Sequence, residues 1–392
     1  MKYLVLLITL ILLLSSNLFS QNTIDEILTE IEKNNTTLSA LRQKTDAQKI
    51  GNKTNITLEN PEIGFNYLWG DPSVIGNRID FSIKQTFDFP SAYSYKNQIS
   101  DLMNEQTELE YLKQLKTLQL ETKLICIDLI YLNALKYEFN KRLAHAQNIA
   151  GSYKTKFDVG ETNILELNKA KLNLLNTKTE LESIEIKRNS LLSELSRLNA
   201  GQFIEFKDTV FEVTIIPEDF EKWYLVAENN NKTLSWLKKE IEISQKQVSL
   251  NRAMSLPKFQ AGYMSERIVG QQFRGVSVGV SIPLWENRNK LKYANANALA
   301  FESIMIDNKL QYYNNLKSLH TKAISLQENA NEYRSSLLSI DSSGLLKKAL
   351  DKGGISLINY ILELSFYYQS VNKLLEMERD LNKSVAELNQ YM

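Results

Sequence analysis

Two periodicities alternate along this chain. Most of it carries apolar residues at helical spacing, but two stretches switch to period two. In residues 60–90, NPEIGFNYLWGDPSVIGNRIDFSIKQTFDFP, the residues Ile63, Phe65, Tyr67 and Trp69 alternate with Glu62, Gly64, Asn66 and Leu68. Farther along, Ile79, Phe81, Ile83, Phe87 and Phe89 alternate with Arg78, Asp80, Ser82, Lys84, Thr86 and Asp88. In residues 256–285, Phe259, Ala261 and Tyr263 alternate with Lys258, Gln260 and Gly262, and Val276, Val278, Val280, Ile282 and Leu284 with Gly275, Ser277, Gly279 and Ser281. Period two sends successive side chains to opposite faces of a strand, so two β-hairpins are expected inside a helical chain.

The order of elements occurs twice. Thr23–Leu41 aligns with Asp219–Leu237 at an offset of 196 positions, which places Asn34, Asn35, Thr37 and Leu38 on Asn230, Asn231, Thr233 and Leu234. Phe157–Leu167 meets Leu350–Tyr360 at an offset of 193, with Gly160 on Gly353. A repeated order at a near-constant offset indicates a duplicated unit. Each unit opens on a short amphipathic helix, the first with Thr23 and Glu26 spaced as a capping box. A second helix follows, over about residues 36–58 and 232–255. After each hairpin comes a stretch without internal proline, about residues 91–156 and 286–350; at ~1.5 Å per residue each would span roughly 100 Å. The returning helices carry paired seams at heptad spacing, Leu167, Leu174, Leu181, Leu195 with Ala170, Thr177, Ile184, Leu191, Leu198, and Leu357, Leu364, Val371, Val385 with Tyr360, Tyr367, Leu374, Leu381, Leu388. These are coiled-coil seams. Arg188 and Glu378 interrupt them, as polar residues at a frayed or curved stretch. Residues 201–218 alternate briefly and are expected to form one or two short strands wrapped on the helices.

Proline marks the boundaries. Pro61 and Pro257 stand where helix gives way to strand, Pro90 and Pro283 where strand gives way to helix, Pro72 in a hairpin loop and Pro217 in the linker; proline continues neither ladder. The expected organisation is therefore a leader over 1–20, helices over 21–59, a hairpin over 60–90, long helices over 91–200 with a tip near 157–163, a linker over 201–218, and then helices over 219–255, a hairpin over 256–285 and long helices over 286–392 with a tip near 350–356.

Met1–Ser20 has one lysine, an apolar run from Leu4 to Leu14 and a short polar end, the layout of a secretory signal peptide. The remainder shows no long uncharged apolar run, so any membrane role falls to the strands. Their length, about 9 to 12 residues, suits a tilted crossing of a bilayer. One face offers Ile, Phe, Tyr and Val, with Trp69 and Trp285 near strand ends, to lipid; the other offers Glu62, Asn66, Arg78, Asp80, Lys84, Lys258 and Gln260 to a wet lumen. Four strands cannot close a barrel, and open edges are not tolerated in lipid, so the barrel would be shared between chains. With 46 basic and 46 acidic residues the formal net charge is zero, which argues against nucleic acid as a partner.

The layout resembles the TolC-like outer membrane efflux protein family over essentially the whole chain after the leader. Two segments carry the likeness most specifically, YKTKFDVGETNILELNKA (Tyr153–Ala170) and ALDKGGISLINYILEL (Ala349–Leu364), which look like the family's turn motif at the periplasmic helix tips. The resemblance implies a mainly α fold with a transmembrane β-barrel portion: a homotrimer whose four strands per chain make a twelve-stranded barrel in outer membrane lipid, continued by a trimeric helical tunnel through the periplasm. It also implies a periplasmic adaptor protein docking at the tips, assigned to Val159, Gly160, Glu161, Gly353, Gly354 and Ile355, and an inner-membrane transporter supplying energy. Where the family often has an inward-facing aspartate after each tip glycine, this chain has Glu166 and Asn359, the expected pore constriction.

The function expected is a passive conduit without cofactor or catalysis. The two histidines, His145 and His320, each stand alone on a long helix, and no cysteine pair or phosphate-cradling glycine loop is present, so neither an enzyme nor a tight metal site is indicated. Cys126 is the single cysteine, expected as a small buried apolar residue. The competing class is a secreted coiled-coil structural or adhesive protein whose hairpins pack on soluble partners.

Overall fold

The computed structural model describes residues 23–285, 287–340 and 343–392; the expected signal peptide lies outside them. The elements are α1 (Ile24–Asn34), α2 (Thr36–Gly51), β1 (Glu62–Leu68), β2 (Arg78–Phe87), α3 (Pro90–Asp158), α4 (Ile164–Leu198), α5 (Phe220–Asn230), α6 (Lys232–Ala253), β3 (Lys258–Ile268), β4 (Gln271–Ser281), α7 (Lys290–Ile340), α8 (Ser343–Asp351) and α9 (Leu357–Leu388). The duplication is visible to the residue. α1, α2 and β1 begin at positions 24, 36 and 62, and α5, α6 and β3 at 220, 232 and 258, each displaced by the sequence offset.

Local chemistry explains these starts. Thr23 accepts from the Glu26 amide while the Glu26 carboxylate accepts from the Thr23 amide, completing the capping box and satisfying two donors that the first helical turn leaves free. Asn35 and its counterpart Asn231 begin the next helix of each unit by accepting from Leu38 and Leu234. Two boundaries differ from expectation. α2 ends at Gly51 rather than near residue 58, because a turn follows in which Asn55 holds a positive φ of 62°; asparagine tolerates that conformation better than most residues. β1 has 7 residues, fewer than expected.

The chain forms two compact units that cut across its linear halves: one holds residues up to Ser39, Leu115–Leu225 and Asn314–Met392, the other Ala40–Gln114 and Val226–Tyr313. In the first unit, Ile27, Ile31, Cys126, Leu129, Leu195, Leu198, Ile204 and Phe206 form one core cluster. Every seam position named above on α4 and α9 is buried or half-buried, as a coiled-coil seam requires. Residues 202–218 form no strand. They are held by side chains instead: Ile204 and Phe206 are in the core, Asn133 donates to the carbonyls of Phe206 and Asp208 at 3.3 and 2.9 Å, and His320 Nε2 lies 2.7 Å from the Pro217 carbonyl. Arg188 belongs to this attachment, donating to Asn133 Oδ1 at 2.6 Å and to the Phe206 carbonyl at 3.3 Å. Glu378 is bound by Arg334. Both seam interruptions thus have specific partners and are not frayed positions. Cys126 is buried, and burial pushes its thiol up to about 12, so it has little thiolate character.

The second unit holds the sheet, ordered β1-β2-β3-β4 and antiparallel throughout. The two hairpins, far apart in sequence, pair through β2 and β3. No described helix is long and apolar enough to cross a membrane.

Candidate functional site: a two-faced sheet and paired helix tips

Cross-strand register decides which side chains share a face. Ile63 pairs with Ile83 and Phe65 with Phe81; Ile83 pairs with Tyr263 and Phe87 with Phe259; Tyr263, Ala261 and Phe259 pair with Val276, Val278 and Val280. These residues form one continuous apolar face. Phe65, Phe259, Val276, Val278 and Val280 are all exposed, Val278 to 81%. The residues between them form the opposite face: Glu62 opposite Lys84, Asn66 opposite Asp80, Leu68 opposite Arg78, Gln260 opposite Thr86 and Gly279, and Lys258 opposite Ser281. All seven expected lumen residues therefore lie on a single face.

That face is internally organised. Arg78 Nε lies 2.8 Å from Asp80 Oδ1 and 3.2 Å from Glu266 Oε1. At the helix-proximal end the buried Asp88 carboxylate receives Lys96 at 2.8 Å and Lys258 at 3.6 Å, so Lys258 is tied to the base of the sheet. Gly64, Gly262, Gly275 and Gly279 all fall on this face as well. A Cβ at Gly262 would sit 2.5 Å from the Ile83 carbonyl oxygen and 2.8 Å from Ser277 Oγ, closer than real contacts allow. A Cβ at Gly64 would likewise sit 2.7 Å from Ser82 Oγ, whereas at Gly275 it would meet nothing within 4 Å, so the close packing is local.

The helix tips, in the first unit, are chemical twins. After α3, the Gly160 amide donates to Phe157 and the Glu161 amide to Lys156, at 3.0 and 2.8 Å; after α8, Gly353 donates to Leu350 and Gly354 to Ala349 at the same distances. Gly160 and Gly353 hold φ of 79° and 71°, the left-handed conformation that closes a helix in this double-bond pattern and favours glycine. The next helix starts identically in both: Asn163 accepts from the Glu166 amide and Ser356 from the Asn359 amide. Val159, Glu161 and Gly354 are exposed and Ile355 half-buried. The tips are joined by one apolar cluster in which Ile149 of α3, Ala170 of α4 and Leu357, Tyr360 and Leu364 of α9 are buried.

The constriction candidates differ in environment. Asn359 is exposed. Glu166 is only partly so, with Lys169 Nζ 2.8 Å from Oε1, and its charge is the second cause, after burial, that raises the pKa of Tyr153 on α3.

Sequence reading missed a polar group beside the tip cluster. Arg142, buried on α3, donates to Asn372 Oδ1 at 2.9 Å and to the Tyr368 carbonyl at 3.3 Å, with its guanidinium over the Phe139 and Tyr368 rings. His145 Nε2 lies 2.8 Å from Tyr360 Oη, and Nδ1 3.4 Å from Tyr368 Oη. Burial, then the charge of Lys347, lowers the His145 pKa; burial first pushes the Tyr360 hydroxyl up to about 12. These groups line a cavity of about 510 Å³. Their spacing along α3 was no sequence signal, since their partners lie more than two hundred residues away.

No protein-family model matches the chain, and no curated protein sequence does. Solved structures do. The chain is similar to CusC, described through its transmembrane channel formation, with a TM-score of 0.77 and 12% identity over 95% of this chain and 92% of that one. It is similar to the CmeC outer membrane channel of Campylobacter jejuni, at 0.77 and 12% over 94% of this chain and 85% of that one. It is similar to the outer membrane protein VceC of Vibrio cholerae, at 0.73 and 11% over 94% of each. The fold is thus TolC-like: mostly helical, with one four-stranded antiparallel sheet.

Proposed function

We propose that this chain is one subunit of a homotrimeric outer membrane channel, a passive conduit of a tripartite efflux or secretion system that performs no chemistry. The observation carrying the proposal is the sheet, whose register puts Ile, Phe, Tyr and Val on one exposed face, and the glycines and every strand charge except Arg267 and Arg274 on the other. An exposed apolar face of this extent is costly in water and suits hydrocarbon, while the polar face suits a water-filled lumen. β1 and β4 each have a single partner among the described residues. Unpaired edges are intolerable in lipid, so β4 of one copy would pair with β1 of the next, and three copies would give twelve strands. The helices offer a matching surface: Leu165, Leu172, Leu175 and Ile186 of α4 are exposed, three of them seven or fourteen apart, a further seam with no occupant among the described residues that a neighbouring copy would fill.

The helical body would lie in the periplasm. Docking of a periplasmic adaptor, and through it of an inner-membrane transporter, would fall on Val159, Gly160, Glu161, Gly353, Gly354 and Ile355. Both turns present this short backbone motif, so one adaptor element could recognise both. The constriction would form at Glu166 and Asn359, and opening would be a shift in helix packing between two arrangements, biased by partner contacts.

Alternating thiol labelling tests the channel reading. In outer membranes bearing Ser277→Cys or Val276→Cys, a charged membrane-impermeant thiosulfonate is expected to label position 277 through the lumen and to spare 276; buried Cys126 contributes no background. Equal labelling of both, or recovery of the protein in the soluble fraction without detergent, would indicate a soluble hairpin.

A further inference from the structure

The apolar face carries charge at only one place. Along β3 and β4, Phe259, Ala261 and Tyr263 face Val280, Val278 and Val276, and then the pattern changes: Ser265 pairs with Arg274, and Arg267 with Gln272. By register Arg267 and Arg274 are diagonal neighbours on the apolar face, with backbones roughly 7–8 Å apart. Both are exposed. Arg274 donates to Gln272 Oε1 at 3.1 Å, and among the described residues neither arginine is in an ion pair. Asp80 and Glu266, the acids on the neighbouring strand positions, point to the other face and are engaged by Arg78. The remaining strand positions of the apolar face, on all four strands, are uncharged. At the same end of the sheet Tyr67 of β1 and Trp69 just beyond it make an edge-to-face ring pair, centroids 5.4 Å apart, the kind of amphipathic pair found at a membrane interface.

Two adjacent guanidinium groups repel each other, and on a face otherwise built for hydrocarbon they need an anion. We infer that Arg267 and Arg274 together hold the phosphate of an anionic lipid headgroup in the outer leaflet. The inference rests on the barrel reading, which puts the β3–β4 turn, remote from the helices, on the outer side. Arginine is well matched to phosphate, because its planar fork donates two parallel bonds to one phosphate group, and two forks side by side match a headgroup with several oxygens. Tyr263 and Val276, one step toward the helices, would contact the first acyl carbons, fixing the arginines at the boundary of the apolar band.

The test uses the assembled protein, wild type and R267Q/R274Q, stripped of lipid in neutral detergent. Each is titrated with diphosphoryl lipid A, with phosphatidylcholine and with inorganic phosphate, and bound molecules are counted by native mass spectrometry. The wild type is expected to bind diphosphoryl lipid A at least tenfold more tightly than phosphatidylcholine, the double variant to lose that preference, and R267Q or R274Q alone to lose about half of it on a logarithmic scale. The single variants decide the matter should the double variant not assemble. Equal binding of the two lipids by wild type, an undiminished preference in the variants, or binding of inorganic phosphate without lipid preference would each overturn the inference. A wild-type protein extracted only by detergent yet showing no preference refutes this inference alone; one found soluble without detergent refutes the barrel itself.

Discussion

Val278→Arg separates lipid from water as the surroundings of the sheet. Val278 is 81% exposed, sits opposite Ala261 and has Val276 and Val280 as its neighbours along the same face. If that face meets hydrocarbon, a midplane arginine costs about 2–4 kcal/mol per copy, or roughly 6–12 kcal/mol for three copies folding together. If the face meets water, an exposed substitution away from any hydrogen bond changes stability by about 0.5 kcal/mol at most. The two outcomes differ by more than an order of magnitude in the folding equilibrium. Asn66→Arg is the control, an exposed position on the polar face where a lumen would accept the charge. The assay is refolding from urea into phospholipid vesicles, with the folded fraction read by heat-modifiable electrophoretic migration. Val278→Arg is expected to fold poorly or with a much lower urea midpoint, and Asn66→Arg to match wild type. Equal behaviour of the two variants would refute the assignment of faces.

Four further expectations follow from the helical unit. Leu172→Glu, at an exposed seam position on α4, should leave the helical content of each chain unchanged by circular dichroism but weaken assembly in native electrophoresis. Asn163→Ala and Ser356→Ala each remove a helix cap and should destabilise their tips by about 1 kcal/mol, read as faster amide exchange in the first turns of α4 and α9 only. Glu166→Gln should lower cation preference in planar-bilayer conductance only slightly, because Lys169 offsets the charge, whereas Lys169→Gln should raise it. The fourth concerns pH. The folded protein disfavours charged His145, so the unfolded state binds more protons once pH falls below about 6.5. Stability from this group is complete above that value and declines as pH drops toward the lower folded pKa; amide exchange around Tyr360 should accelerate over that window in wild type and stay flat in His145→Gln.

Where the sequence predicted well, the determinants were local. Strand faces follow from alternation, and the seven polar positions from Glu62 to Gln260 needed only the register to fall on one face. The tips were legible because Gly160 and Gly353 are the residues a left-handed helix end favours, and the capping box because Thr23 and Glu26 are three apart. Where it failed, the determinants were distant. Residues 202–218 alternate like a strand but are held by Asn133, Arg188 and His320 from three helices, and no ladder partner exists for them among the described residues. Arg142 and His145 looked like ordinary helix residues because Asn372, Tyr360 and Tyr368, which give them meaning, come from the other half of the duplicated chain. The seam interruptions at Arg188 and Glu378 were likewise readable only once their partners were in place.

Four strands with two open edges are, on the proposed reading, one share of a closed barrel. The mass of the detergent-extracted protein, measured intact by native mass spectrometry, decides between a shared barrel and a lone chain. A species of three chains is expected, one that survives removal of lipid and dissociates only on denaturation. A monomer that remains folded in the membrane extract, or an assembly whose copy number is not three, would rule out the trimeric barrel.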